Sequence, residues 1–242
     1  MTGAIATTTP MEASAHKSAV VAGVGILLIS VLAGLANFGA LESLVTSGDA
    51  TKTAQAISAS EGTFRLAIAA FVVVAVLDAV VAWALYAFFR PVNREVALLA
   101  GGLRLAYSAV FAVAISQLAS ALHVLGNADS PRAFTPDQLN TLALLKIADF
   151  HDIWTVSLVL FGTHLLLIGY LIYRSGFAPK ILGVLVSIAG AGYLTDSIGT
   201  LLISDYAISV SAITFVGEFV LMVWLLYKGR TIPIRRTEDK AS

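Results

Sequence analysis

Residues 71–107 read FVVVAVLDAVVAWALYAFFRPVNREVALLAGGLRLAY, which is two apolar runs joined by the basic turn RPVNR at residues 90–94. Each run carries one full charge. Asp78 precedes Pro91 by the same distance along the chain at which Arg104 follows it. Because an α-helix rises about 1.5 Å per residue, two antiparallel helices would hold both charges about 15–20 Å above the turn. The stretch therefore predicts a transmembrane hairpin with opposite charges at one depth.

The composition is that of a membrane protein. Of 242 residues, 58% are hydrophobic and 12% are charged, and the mean hydropathy is +0.87; a soluble domain carries about 25% charged residues. The 15 basic and 15 acidic residues balance, so nothing attracts the chain to nucleic acid. The absence of cysteine excludes disulfides, thiolate metal sites and cysteine nucleophiles. The predicted partner is the lipid bilayer, and no cofactor is predicted.

The hydropathy pattern predicts an all-α bundle of six membrane-spanning helices. The predicted spans are Ser18–Val45, Phe64–Phe89, Glu95–Leu125, Ile153–Tyr173, Ile181–Ile203 and Tyr206–Tyr227. The uncharged run that opens the first span is too long for a signal peptide, so we expect it to be retained. Residues 18–228 would form the transmembrane domain, between an N-terminal tail at 1–17 and a basic C-terminal tail at 229–242.

Two connecting segments have recognisable local structure. The polar loop 46–63 is predicted to be partly helical. Thr135-Pro136-Asp137-Gln138 has the residues of a helix start, with Thr as N-cap, Pro at the first helical position and Gln to complete a capping box. Residues 139–146 then predict a short amphipathic segment, either at the membrane interface or leaning into the fourth span.

The loop charges predict the orientation. Ten of the 15 basic residues lie in the N-terminal flank, the 90–94 and 174–180 turns and the C-terminal tail, all on one side of a six-span topology. Lysine and arginine accumulate in cytoplasmic loops. Both termini are therefore predicted to be cytoplasmic.

Four ionisable residues are predicted to share one depth inside the membrane: Asp78, Arg104, His164 and Glu218. Each lies about three helical turns from the basic residue at the cytoplasmic end of its span. An isolated Asp or Arg at the centre of a span costs about 2.5–3.5 kcal/mol on insertion scales, so each needs a partner or a cavity. Asp196 lies higher, because it is farther along its span from Lys180 than the other four are from their basic residues.

Two readings of this layer remain open. Asp78 and Arg104 could be a structural ion pair that fixes the hairpin, with His164 and Glu218 bonded to neighbouring helices. Alternatively, the layer lines a polar pocket that binds an ion or a polar group or passes protons, with His164 supplying a second positive charge by protonation. Asp196 is a further candidate for ligand binding or proton relay.

A second polar cluster is predicted at the outer surface, and it includes Glu61, Arg65, His151 and Asp152. Glu61 and Arg65 are spaced as a helical i,i+4 ion pair. His151 and Asp152 are close in sequence, but the nearby Asp149 shares a helix face with Asp152 and not with His151. No metal site is therefore predicted. Haem is not predicted either, since His151 and His164 point in directions about 220° apart.

Several segments of the chain resemble one family. They are Phe64-Arg65-Leu66, residues 84–94, Leu103-Arg104-Leu105-Ala106-Tyr107, residues 160–170 with Tyr173-Arg174-Ser175-Gly176, and Gly190-Ala191-Gly192-Tyr193-Leu194-Thr195-Asp196-Ser197. Together they are similar to a family of bacterial membrane proteins classed as domain of unknown function 4386, over about Ala19 to Lys228. The family pattern has charged or polar residues at positions matching Arg65, Asp78, Arg104, His164, Arg174 and Asp196; Glu218 has no counterpart in it. The resemblance implies six spans and a bacterial cytoplasmic membrane, and it implies no activity.

Three classes of function follow. The first is a protein that binds or carries a small ligand, lipid or ion at a pocket lined by Asp78, Arg104 and His164. The second is an intramembrane enzyme acting on a lipid or isoprenoid, with Asp196 or Glu218 as general acid. The third is a sensor or assembly partner whose buried charges are structural. No nucleophile, metal or phosphate motif supports the enzyme, so the first class is preferred.

Overall fold

The computed structural model describes residues 10–126 and 134–229, and within these ranges the chain is helical with no β-strand. The helices are α1 (Pro10–Gly34), a π-helix (Leu35–Leu41), α2 (Glu42–Leu44), α3 (Ala50–Ala59), α4 (Glu61–Phe89), α5 (Arg94–Gly126), α6 (Pro136–Arg174), α7 (Lys180–Leu202), α8 (Ser211–Thr214) and α9 (Val216–Tyr227). Of the predicted tails at 1–17 and 229–242, residues 1–9 and 230–242 lie outside the described residues, while residues 10–17 are helical and belong to α1.

Five helical segments are long and apolar enough to cross a membrane: His16–Leu44, Glu61–Phe89, Arg94–Gly126, Pro136–Arg174 and Lys180–Leu202. A shorter apolar segment follows at Ser211–Tyr227. Many large apolar side chains on these helices point outward, as in a bundle surrounded by lipid. The all-α membrane bundle predicted from the sequence is thereby confirmed.

The sixth span is shorter than predicted. Residues 203–210 are not helical, and the helix that follows is interrupted at Phe215 between α8 and α9. The amide of Glu218 bonds to the carbonyl of Phe215 at 2.9 Å instead of to that of Thr214. Hydropathy could not reveal this break because residues on both sides of it are equally apolar.

The predicted division between an amphipathic segment and a fourth span is wrong, because α6 is one continuous helix of 39 residues. Its start is the predicted capping box: Thr135 Oγ1 accepts from the amide of Gln138, and Gln138 Oε1 accepts from the amide of Thr135. A helix of this length measures about 58 Å, so it extends well beyond an apolar core of about 30 Å.

The first predicted span is also not uniform. Between Leu35 and Leu41 the backbone widens into a π-helix, in which the amide of Glu42 bonds to the carbonyl of Asn37. The Asn37 side chain donates to Glu42 Oε1 at 2.8 Å and reinforces this turn. The polar segment after it contains α3, so the expectation of a partly helical loop is confirmed.

The packing of the long helices against one another determines the position of the candidate site. α6 packs against both α5 and α7, and α1 packs against α4 and α9. The contact between α6 and α7 is close because glycines face each other. A Cβ atom on Gly183 would collide with the carbonyl of Gly169, and a Cβ atom on Gly162 would collide with that of Gly190. Small residues of this kind allow helix backbones to approach closely in membranes.

Candidate functional site

Asp78 on α4 and Arg104 on α5 form the predicted ion pair. Arg104 Nη2 lies 2.6 Å from Asp78 Oδ1. The two residues are 1% and 3% exposed, so the pair is shielded from both water and lipid. The two helices are joined by the short turn after Phe89, and this hairpin brings residues of equal depth into contact.

His164 on α6 is the third member of the site. Its Nε2 lies 3.4 Å from Arg104 Nη1, and its Nδ1 lies 2.8 Å from the carbonyl oxygen of Ala100. A carbonyl only accepts, so Nδ1 carries the hydrogen and Nε2 presents its lone pair to the guanidinium.

The neutral form of His164 corrects one expectation. Protonation of Nε2 would place a second positive charge against Arg104, inside a fully buried site. His164 is therefore an acceptor that orients Arg104. This geometry favours the neutral imidazole over the second cation that one reading of the sequence proposed.

Aromatic residues that the sequence reasoning missed complete the surroundings of Arg104. Its guanidinium carbon lies 5.2 Å from the centre of the Phe161 ring. Tyr107 packs against this ring and accepts a hydrogen bond of 3.3 Å from Trp154 Nε1. Helical spacing was an available signal, since Tyr107 lies one turn after Arg104 and Phe161 lies one turn before His164.

Glu218 lies beside this group without contacting Arg104 directly. It is half-buried in the first turn of α9, and its carboxylate lies within electrostatic range of Tyr193 on α7. Asp78 and Arg104 are both within electrostatic range. Among the described residues, no basic side chain forms an ion pair with Glu218. With both carboxylates ionised, Asp78, Glu218 and the Arg104 guanidinium thus leave one negative charge without a paired cation.

Asp196 is not part of the charged layer. Its carboxylate accepts from the hydroxyl of Tyr206 at 2.8 Å and from the amides of Val210 and Ser211 at 2.9 and 2.7 Å. These bonds cap the start of the last helical segment and hold residues 203–210 against α7. Helical spacing did not suggest this role, because the hydrogen-bond partners of Asp196 follow the C-terminal end of α7 in the sequence and are not on that helix.

The predicted outer polar cluster is only loosely assembled. Glu61 and Arg65 form the expected i,i+4 pair at 2.6 Å, with both side chains at least half exposed. His151 and Asp152 are exposed on α6, and His151 is within electrostatic range of Glu42. No group of three or more acidic or histidine side chains in the described ranges is arranged to hold a metal ion.

Several buried polar atoms of the described residues have no hydrogen-bond partner, among them Arg104 Nε in the site, Ser197 Oγ on α7 and Thr214 Oγ1 on α8. Buried polar groups nearly always have partners, and each unsatisfied one requires an explanation. Arg104 Nε is a donor, while the two hydroxyls can donate or accept. Arg104 therefore has one unused donor, and Thr214, four residues before Glu218, has an unused hydroxyl.

Comparison with known proteins gives the chain a family. Residues 21–229 match the family described as domain of unknown function (DUF4386). A protein of Archaeoglobus fulgidus, described as uncharacterized, is 35% identical over 160 residues, which cover 65% of this chain and 80% of the relative. No solved structure matches the chain. With nearly the whole helical domain matched, this chain belongs to the DUF4386 family.

Proposed function

We propose that the protein binds a small polar ligand or ion in the middle of its membrane domain and carries it across the bilayer. It would do so in a bacterial cytoplasmic membrane, with both termini inside. The arrangement around Arg104 supports this proposal. Its charge is fixed from two sides by Asp78 and His164, which orients the guanidinium before any ligand arrives.

The observation that carries the proposal is the buried Arg104 Nε without a partner. A guanidinium has five N–H donors in a planar fork, and it suits the recognition of oxygen-bearing groups. A purely structural arginine is expected to have every donor satisfied, because an unsatisfied donor costs stability. An acceptor atom of a bound ligand would satisfy this one.

One second function has specific support. The hydrogen bonds from Arg104 to Asp78 and from His164 to Ala100 tie α4, α5 and α6 together, which favours a sensor or assembly partner with structural charges. The enzyme alternative loses one of its two acids, because the oxygens of Asp196 are engaged in capping.

The test is a ligand screen on the purified protein in lipid nanodiscs. Small polar solutes and ions are added singly, and the melting temperature is measured. We expect at least one to raise the melting temperature of the wild type and to lose that effect in Arg104→Lys, which keeps the charge but lacks Nε. Arg65→Lys, on the exposed ion pair, is the matched control and should respond like the wild type.

A solute that passes this screen is then tested for uptake into vesicles containing the protein. The structural alternative predicts a different pattern. In that case no solute stabilises the wild type, and the double swap Asp78→Arg with Arg104→Asp recovers most of the stability that either single variant loses.

A further inference from the structure

The contact between α7 and the last two helices is lined by polar groups in a protein whose other helix contacts are mostly apolar. We call this set the polar seam and define it as Tyr193 and Asp196 on α7 with Ser211, Thr214 and Glu218 opposite. Asp196 bonds to Ser211 at one end. At the other end, Glu218 lies within electrostatic range of Tyr193. The seam thus leads from the non-helical segment 203–210 to the buried charges.

Thr214 lies in the middle of the seam, pressed against α7. A Cβ atom on Gly192 would collide with Thr214 Oγ1, so this hydroxyl sits against the backbone next to Tyr193. The hydroxyl oxygen is buried and has no hydrogen-bond partner. In helices, such a hydroxyl ordinarily bonds to the carbonyl four residues earlier. Here it is left available for another partner.

The break in the helix adds a second free oxygen at the same level. Because the amide of Glu218 bonds to Phe215, the carbonyl of Thr214 loses the amide it would bond in a continuous helix. Interrupted transmembrane helices commonly use such released carbonyls to coordinate ions. The Thr214 hydroxyl, the Thr214 carbonyl and the Glu218 carboxylate thus lie within about one helical turn of each other along the chain, and Tyr193 on α7 is within electrostatic range of Glu218.

We infer that one monovalent metal cation, for which Na⁺ is the probe, binds at Glu218, Thr214 and Tyr193. The inference goes beyond the proposed function, because the cation would bind at a site separate from Arg104. All the available ligands are oxygens, which suit hard cations. With Glu218 ionised, Asp78, Arg104 and Glu218 together carry one net negative charge, so a monovalent ion neutralises it while a divalent ion would leave a net positive charge. A proton on Glu218 would also neutralise the charge, but it would leave Thr214 Oγ1 without a partner.

The test measures the melting temperature of the purified protein in nanodiscs as Na⁺ replaces choline at constant ionic strength and pH. An ion that binds only the folded state raises the melting temperature with the logarithm of its concentration. We expect this rise in the wild type and its loss in Glu218→Gln. Thr214→Val should lower the affinity for Na⁺ about tenfold or more. Thr214→Ser, which keeps the hydroxyl, should respond to Na⁺ nearly as the wild type does.

Two matched controls lie elsewhere on the chain. Glu61→Gln changes an exposed carboxylate. Thr163→Val removes a hydroxyl already bonded to the Val159 carbonyl at 2.8 Å. Both should keep the full Na⁺ response. Direct binding of radioactive Na⁺ to wild type and Thr214→Val gives a second readout, which keeps the test decisive if Glu218→Gln does not fold.

The inference is overturned if the wild type shows no Na⁺ response, or if the response persists unchanged in both Glu218→Gln and Thr214→Val. A stability that follows pH but not Na⁺ also overturns it, in favour of a proton at Glu218. Failure here is separable from failure of the proposed function, because solute binding through Arg104 is scored independently with Arg104→Lys.

Discussion

Arg104 and His164 face each other across the α5–α6 contact, with Nη1 of the arginine 3.4 Å from Nε2 of the imidazole. The carbonyl of Ala100 holds the other ring nitrogen at 2.8 Å, so the two neighbours together select one neutral tautomer. This relationship makes the histidine a fixed acceptor for the arginine. It also links α5 and α6 through side chains that hydropathy alone would have treated as exceptions.

The tautomer of His164 is the first prediction. In ¹⁵N-histidine-labelled protein at neutral pH, His164 should show a protonated Nδ1 and an unprotonated Nε2. Its signals are assigned by their absence in His164→Gln. A doubly protonated ring would contradict the structure, because it would need two cations in direct contact inside a buried site.

Removing the charge of Asp78 should destabilise the protein strongly. Asp78→Asn leaves Arg104 as a buried, unpaired cation, and breaking a buried ion pair in this way costs about 3–5 kcal/mol. The loss of unfolding free energy is measured by chemical or detergent-induced unfolding. Glu61→Gln, which breaks an exposed pair, should cost about 1 kcal/mol or less. Equal losses in the two variants would mean that the Asp78 pair is not shielded.

The close approach of α6 and α7 depends on glycine. In Gly183→Ala the new methyl group would collide with the carbonyl of Gly169 and the backbone of Tyr173, so we expect a loss of about 1–3 kcal/mol. Gly102→Ala is the control, since its side chain would point into open space. It should be neutral or stabilising by about 0.5–1 kcal/mol. Thermal unfolding in nanodiscs compares the two.

The Asp196 cap predicts a local effect. Asp196→Ala removes the acceptor for the amides of Val210 and Ser211, and loss of a helix cap costs about 0.5–2 kcal/mol. Hydrogen exchange should rise in residues 203–215 and remain unchanged in α4 and α5. Asp152→Ala, at an exposed position on α6, should leave exchange in the 203–215 segment as it is in the wild type.

The proposed orientation can be checked directly because the native chain has no cysteine. A membrane-impermeant maleimide applied to intact spheroplasts should label Ser47→Cys and should label Glu95→Cys only after lysis. Both positions are exposed in turns or helix ends. The opposite pattern would place the termini outside and reverse the proposed topology.

The sequence by itself determined the membrane class, the α4–α5 hairpin and the matching depth of Asp78 and Arg104, whereas their contact at 2.6 Å came from the structure. The reason is physical: long apolar runs allow only helices in a bilayer, and two helices joined by a short turn must bring equidistant residues to equal depth. The Thr135 capping box was readable for a similar reason, since its partners lie within one turn of helix.

Only the tertiary structure decided the rest. The tautomer of His164 depends on the carbonyl of Ala100, which lies on a different helix, and the role of Asp196 depends on where residues 206–211 fold back. The break at Phe215 and the polar seam beside Glu218 depend on how α7 meets the last helices. Such contacts join residues with no periodic relationship in the chain, so no pattern along the sequence records them.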